Sequence, residues 1–65
     1  MVAYATLAIL NPMIPTWVGS IGDEKMSGSL SQVLDWLTRR GYRLKRQDKD
    51  ALTRGDTRGT YILEM

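Results

Sequence analysis

The sequence predicts a small α+β domain in which one amphipathic helix, at about residues 30–40, packs on a mainly antiparallel sheet in the order β(β)αββ. Three observations favour this class. The N-terminal segment is rich in β-formers, a capping signal precedes apolar residues at helical spacing, and two later segments alternate between apolar and polar positions. At 65 residues the chain is expected to be a single domain, 1–65, near the lower size limit for independent folding.

The segment 2–10, VAYATLAIL, is predicted to form a strand, because Val, Tyr, Thr and Ile favour the pleated backbone. Both of its alternating faces are largely apolar, so we expect it to be covered on both sides, either centrally in a sheet or at a subunit interface. Asn11 and Pro12 then begin a turn. The segment 16–21, TWVGSI, is interpreted as a short second strand or as irregular chain packed through Trp17.

The segment 22–29, GDEKMSGS, is interpreted as a polar loop that leads into the helix. Ser29 and Gln32 match a capping box, in which each side chain bonds to the backbone N–H of the other residue. Gly41 suits the left-handed position that ends many helices. These signals predict a helix over about 30–40.

The apolar side chains of this helix are predicted to share one stripe. The stripe is formed by Leu30, Val33, Leu34 and Leu37. Trp36 lies at its edge, so we expect this side chain either to pack in the core or to extend toward a partner. Asp35 and Arg39 are spaced for an i,i+4 ion pair on the solvent face.

Two segments near the C-terminus, 42–47 and 58–65, alternate in the manner of half-buried strands. Gly55-Asp56 between them suits the centre of a type II′ turn, which favours a hairpin. The alternative is a short helix over 48–54, capped by Asp48 and ended by Gly55. We slightly prefer the hairpin, and both interpretations stay open at this stage.

Charge is distributed unevenly along the chain. Residues 1–38 contain one lysine and three acidic residues, whereas residues 39–65 contain eight cations and four carboxylates. We name these eight cations the basic flank: Arg39, Arg40, Arg43, Lys45, Arg46, Lys49, Arg54 and Arg58. Such a cluster is typical of a surface that contacts a polyanion or an acidic partner.

The chain has no histidine and no cysteine, which excludes disulfides and removes the usual zinc ligands, general acid–base groups and thiol nucleophiles. We therefore expect a non-enzymatic protein with no catalytic residue, metal or cofactor. The neighbouring carboxylates Asp48 and Asp50 are too few to suggest a metal site. The first 22 residues are uncharged, but Asn11, Pro12 and Pro15 interrupt them, so we expect no membrane span and a cytoplasmic protein.

These observations favour a small regulatory or inhibitory binding protein that acts through contacts with an acidic protein surface. Its size and composition are similar to those of inhibitors of host machinery encoded by phages or mobile elements, which is an analogy and not a motif match. A homodimer is expected, because a small chain without disulfides or metals often needs a second subunit.

The residues expected to contact the partner combine the flank cations with one aromatic side chain. They are Arg39, Arg40, Arg43, Lys45, Arg46, Arg54, Arg58 and Trp36. The alternative is a small nucleic-acid-binding protein that uses the basic segment 39–58, with Tyr42 and Tyr61 as base-stacking platforms if they are exposed.

Overall fold

The computed structural model of the protein describes residues 3–55 and 59–65 and has the predicted α+β class. Its elements, in chain order, are β1 Tyr4–Asn11, β2 Thr16–Ile21, β3 Glu24–Gly28, α1 Leu30–Arg39, β4 Arg43–Leu44, α2 Arg46–Thr53 and β5 Thr60–Glu64. The strands form one antiparallel sheet in the order β3-β2-β1-β5-β4. The first strand is therefore central, as one of the two predicted placements has it, but the expected cover on both faces is absent from the described chain, because Tyr4 and Thr6 are exposed.

The core lies between α1 and one face of the sheet. Its buried members are Ala5, Leu7, Trp17, Val33, Leu37, Tyr42, Tyr61 and Leu63. Leu7 pairs with Gly19 on one side and with Tyr61 on the other, so these three residues form one row across the sheet. Gly19 leaves space above this row, and Val33 and Leu37 of α1 occupy that space.

The start and end of α1 confirm the sequence prediction. Ser29 Oγ accepts a hydrogen bond from the Gln32 N–H at 3.4 Å, and the Ser29 N–H donates to Gln32 Oε1 at 3.1 Å. Gly41 has a φ of +91° and its N–H donates to the Thr38 carbonyl. The helix therefore begins and ends at residues whose side chains or backbone freedom satisfy its terminal groups.

The polar loop predicted over 22–29 is wrong, because its second part forms the edge strand β3. Ile21 pairs with Glu24, which leaves a two-residue turn with Gly22 at its first position and a φ of +59° there. That conformation suits a tight hairpin. The strand has few β-formers and is held by pairing with β2, with Met26 opposite Gly19.

The preferred hairpin between 42–47 and 58–65 is also wrong, because the alternative short helix forms. The earlier strand is reduced to Arg43–Leu44, and α2 follows from Arg46 to Thr53. Gly55, with a φ of +82°, donates its N–H to the Leu52 carbonyl and ends this helix. The N-cap position is held by Lys45 instead of Asp48, which lies in the first turn.

The α2 helix is attached to the periphery of the domain. None of its residues is fully buried, and Ala51 and Leu52 are half-buried against the core.

The final strand spans Thr60–Glu64, and Arg58 and Asp56 lie outside the described residues. Neither of the two helices in the described ranges is long and apolar enough to cross a membrane.

The sheet face opposite α1 is uncovered in the single chain, and we name it the open face. The residues that share this side by strand register are Tyr4, Thr6, Ala8, Val18, Ser20, Lys25, Ser27, Arg43, Thr60, Ile62 and Glu64. Tyr4 is 56% exposed and Ile62 is 49% exposed.

At one end of the sheet the β1–β2 turn exposes Met13 and Ile14, whose N–H groups both donate to Asn11 Oδ1.

Candidate binding surface

The described part of the basic flank extends from the end of α1, through β4, along α2. Arg39 and Arg40 lie at the end of α1, Arg43 lies on β4, and the others lie within or beside α2. Arg58 lies outside the described residues. The preferred hairpin would have placed Arg43, Lys45 and Arg46 on one strand, whereas Arg43 lies on β4 and the other two lie at the start of α2.

Two of the predicted contact residues at the end of α1 are already engaged. Arg39 Nε lies 2.9 Å from Asp35 Oδ2, which confirms the i,i+4 pair. The Arg40 guanidinium lies 4.6 Å from the centroid of the Trp36 ring, and Arg40 Nη1 donates to the Trp36 carbonyl at 3.3 Å. Trp36 is half-buried, because its ring packs against the core and the Arg40 guanidinium lies over the ring.

Two further cations near α2 have contacts within the chain. Lys45 Nζ lies 3.7 Å from Glu64 Oε1 of the neighbouring strand. Arg54 Nε donates to the Asp50 carbonyl at 3.4 Å. Both contacts are exposed; an exposed ion pair such as Lys45–Glu64 stabilises a fold by at most about 1 kcal/mol, and a hydrogen bond such as that of Arg54 contributes about the same. These side chains can therefore exchange partners at little energetic cost.

Three exposed cations of the flank have no ion pair, no side-chain hydrogen bond and no cation–π contact within residues 3–55 and 59–65: Arg43, Arg46 and Lys49. Glu64 lies opposite Arg43 in the sheet register, but its ion pair is with Lys45. Asp48 and Asp50 alternate with these cations along α2. The surface thus combines available positive charge with separated negative charges.

Two grooves flank the short strand β4. The first, of about 400 Å³, is lined by Gly41, Arg43, Leu44, Lys45, Glu64 and Met65. The second, of about 350 Å³, is lined by Leu34, Thr38, Arg43, Leu44 and Lys49. The second groove lies between α1 and α2, and it exists because α2 folds back beside α1 instead of continuing as a strand.

Of the residues that line the second groove, sequence analysis predicted only Arg43 as a contact residue and missed the other four, Leu34, Thr38, Leu44 and Lys49. Leu34 was assigned to the apolar stripe of the helix, and it is half-buried and lines the groove. The signal that would have found the groove is the short helix, since a hairpin at the same position has no second helix to form a wall.

No group of three or more potential metal-ligating side chains occurs within the described ranges 3–55 and 59–65. Comparison with protein-family models, with curated protein sequences and with solved structures gave no significant match to this chain. Function is therefore argued from the surface itself.

Proposed function

We propose that the protein is a non-enzymatic regulatory or inhibitory protein of the cytoplasm that binds an acidic surface of another protein through its basic flank. The observation that carries this proposal is the group of exposed cations that make no ion pair, side-chain hydrogen bond or cation–π contact within the described part of the chain, Arg43, Arg46 and Lys49. Exposed cations of this kind increase association rates with an acidic partner and determine its orientation.

The alternation of charge along α2 favours a protein partner over a nucleic acid. Asp48 lies between Arg46 and Lys49, and Asp50 follows Lys49, so both would repel a continuous phosphate backbone. A folded protein surface presents separate charges that can pair with each cation and avoid each carboxylate. The expected stacking platforms also weaken the alternative, because Tyr42 and Tyr61 are each 7% exposed and buried in the core.

The exposed apolar side chains provide a second argument for protein contacts. Met13 is 88% exposed and Ile14 is 72% exposed at the turn that Asn11 organises, and Leu10 beside them is 65% exposed. A cluster of exposed apolar side chains on a small protein commonly marks an interaction surface. This cluster lies at the end of the sheet where β1 turns into β2.

We further propose that the protein forms a homodimer through the open face. A two-fold axis parallel to the strands would place the β3 edge of one copy over the β4 edge of its partner. The apolar side chains of Tyr4 and Ile62 would then be covered. Burial of this apolar surface favours the arrangement.

The proposed binding is tested by capture with tagged protein from lysate of cells that carry the gene, with and without nuclease treatment. The expected result is a protein captured in both conditions and lost when Arg43 and Arg46 are changed to Glu. Capture that disappears after nuclease treatment, or that persists in the charge-reversed variant, would contradict the proposal. Nuclease sensitivity would favour the nucleic-acid alternative.

A further inference from the structure

The groove between α1 and α2 has an apolar floor and cationic edges. Leu34 of α1 and Leu44 of β4 are half-buried and form the floor, while Thr38 lies on the wall. Arg43 and Lys49 provide positive charge at its edges, and both are exposed. Its volume of about 350 Å³ is within the range of sites that hold an apolar group.

Arg43 and Lys49 are the charged residues that line this groove in the described part of the chain. Among the residues that the structure describes, no carboxylate lines it and neither Arg43 nor Lys49 has an ion pair. The other groove beside β4 differs, because Glu64 lines it and pairs with Lys45 there at 3.7 Å. A negatively charged ligand is therefore favoured in the groove between α1 and α2, whereas the groove lined by Glu64 already holds a carboxylate.

We propose that the groove between α1 and α2 binds an acidic protein segment that inserts one apolar side chain between Leu34 and Leu44. Carboxylates beside the inserted side chain would pair with Arg43 and Lys49 at the edges. This inference rests on the proposed function, and it assigns the partner a chemistry: an apolar anchor with flanking carboxylates. Buried apolar anchors contribute most of the affinity in such contacts, while charges at the rim determine orientation.

The test is an amide NMR titration of the full chain with a short synthetic peptide that has one central leucine and flanking glutamates. The amide signals of Leu34, Thr38, Leu44 and Lys49 should shift on addition. A peptide in which serine replaces the leucine, and one in which glutamines replace the glutamates, should each bind about tenfold more weakly or not at all.

Two variants locate the binding within the groove. Thr38→Trp fills the groove from an exposed helix position, and Lys49→Glu reverses one edge charge. Each variant should lower the affinity for the peptide by about tenfold. The matched charge reversal Lys25→Glu on β3 should leave the affinity for the peptide unchanged. Retained dispersion of the amide spectrum shows that each variant is folded, and Lys49→Glu decides the question if Thr38→Trp does not fold.

The proposal is overturned if the peptide shifts no amides, if it shifts amides away from the groove, or if Lys49→Glu binds it normally. It is also overturned if a DNA or RNA oligonucleotide shifts the groove amides and the peptide does not. The capture experiment distinguishes failure of the groove from failure of the proposed function. If the wild type and Thr38→Trp both capture a protein that the variant with Arg43 and Arg46 reversed does not capture, the proposed function is supported and the groove is not.

Discussion

Gly19 of β2 and Val33 of α1 are in such close contact that a β-carbon on Gly19 would lie 2.7 Å from Val33 Cγ1. The same atom would lie 3.3 Å from Leu37 Cδ1. The absence of a side chain at Gly19 therefore determines how closely α1 approaches the sheet. The basic flank follows directly after α1, so this contact also positions the surface to which we assign function.

We expect Gly19→Ala to destabilise the protein by about 1–3 kcal/mol, because the added methyl group must displace the helix or force side chains from their rotamers. Chemical denaturation followed by circular dichroism measures the change. In the Val33→Ala background the same substitution should cost less, because the side chain that it meets is shorter. Equal costs in both backgrounds would contradict the proposed contact.

The capping box at the start of α1 should contribute measurably to stability. Replacing Ser29 with Ala removes the acceptor of the Gln32 N–H, and we expect a loss of about 1 kcal/mol in the free energy of unfolding. Ser27→Ala, at an exposed position on β3, is the control and should change stability by less than about 0.5 kcal/mol. Similar losses in the two variants would show that the cap is not specific.

The α2 helix should open more easily than α1, because it has no fully buried residue. Gly55 ends α2 at a φ of +82°, so Gly55→Ala should destabilise its C-terminus by about 1 kcal/mol, whereas Gly55→Asn should be tolerated better. Hydrogen exchange of the α2 amides measures both effects. Slower exchange in α2 than in α1 would contradict this assignment.

The sequence was sufficient to predict the elements whose signals are local. The capping box at Ser29, the apolar stripe through Val33 and the glycine at 41 predicted α1 to within one residue. The alternation over 58–65 likewise predicted a half-buried strand, and Tyr61 and Leu63 form the buried face of β5. In each case the residues of the element themselves indicate where it begins, where it ends or which of its faces is buried.

The elements that sequence analysis missed depend on tertiary contacts. Nothing in the polar segment of β3 indicates a strand until β2 provides a pairing partner through the Gly22 turn. For α2, Gly55 is compatible with both a hairpin turn and a helix end, so the sequence did not distinguish a hairpin from a short helix. The groove beside Leu34 could not be predicted before that choice was resolved.

The proposed homodimer makes a prediction about the open face. Ile62→Lys places a charge in the centre of that face, so we expect it to shift the protein from dimer to monomer. Met13→Lys changes another exposed apolar residue outside the face and is expected to leave the dimer intact. Sedimentation equilibrium measures both. A wild type that sediments as a monomer at all concentrations would contradict the homodimer.

The central claim, that the basic flank is the surface for an acidic partner, is tested most directly by measuring the affinity of a captured protein for two charge-reversed variants. Arg46→Glu reverses a flank cation in the first turn of α2, where a negative charge is compatible with the helix dipole. Lys25→Glu makes a matched change on β3, outside the flank. We predict that Arg46→Glu weakens binding by about tenfold and that Lys25→Glu changes it by less than about twofold. Equal effects of the two variants would contradict the claim.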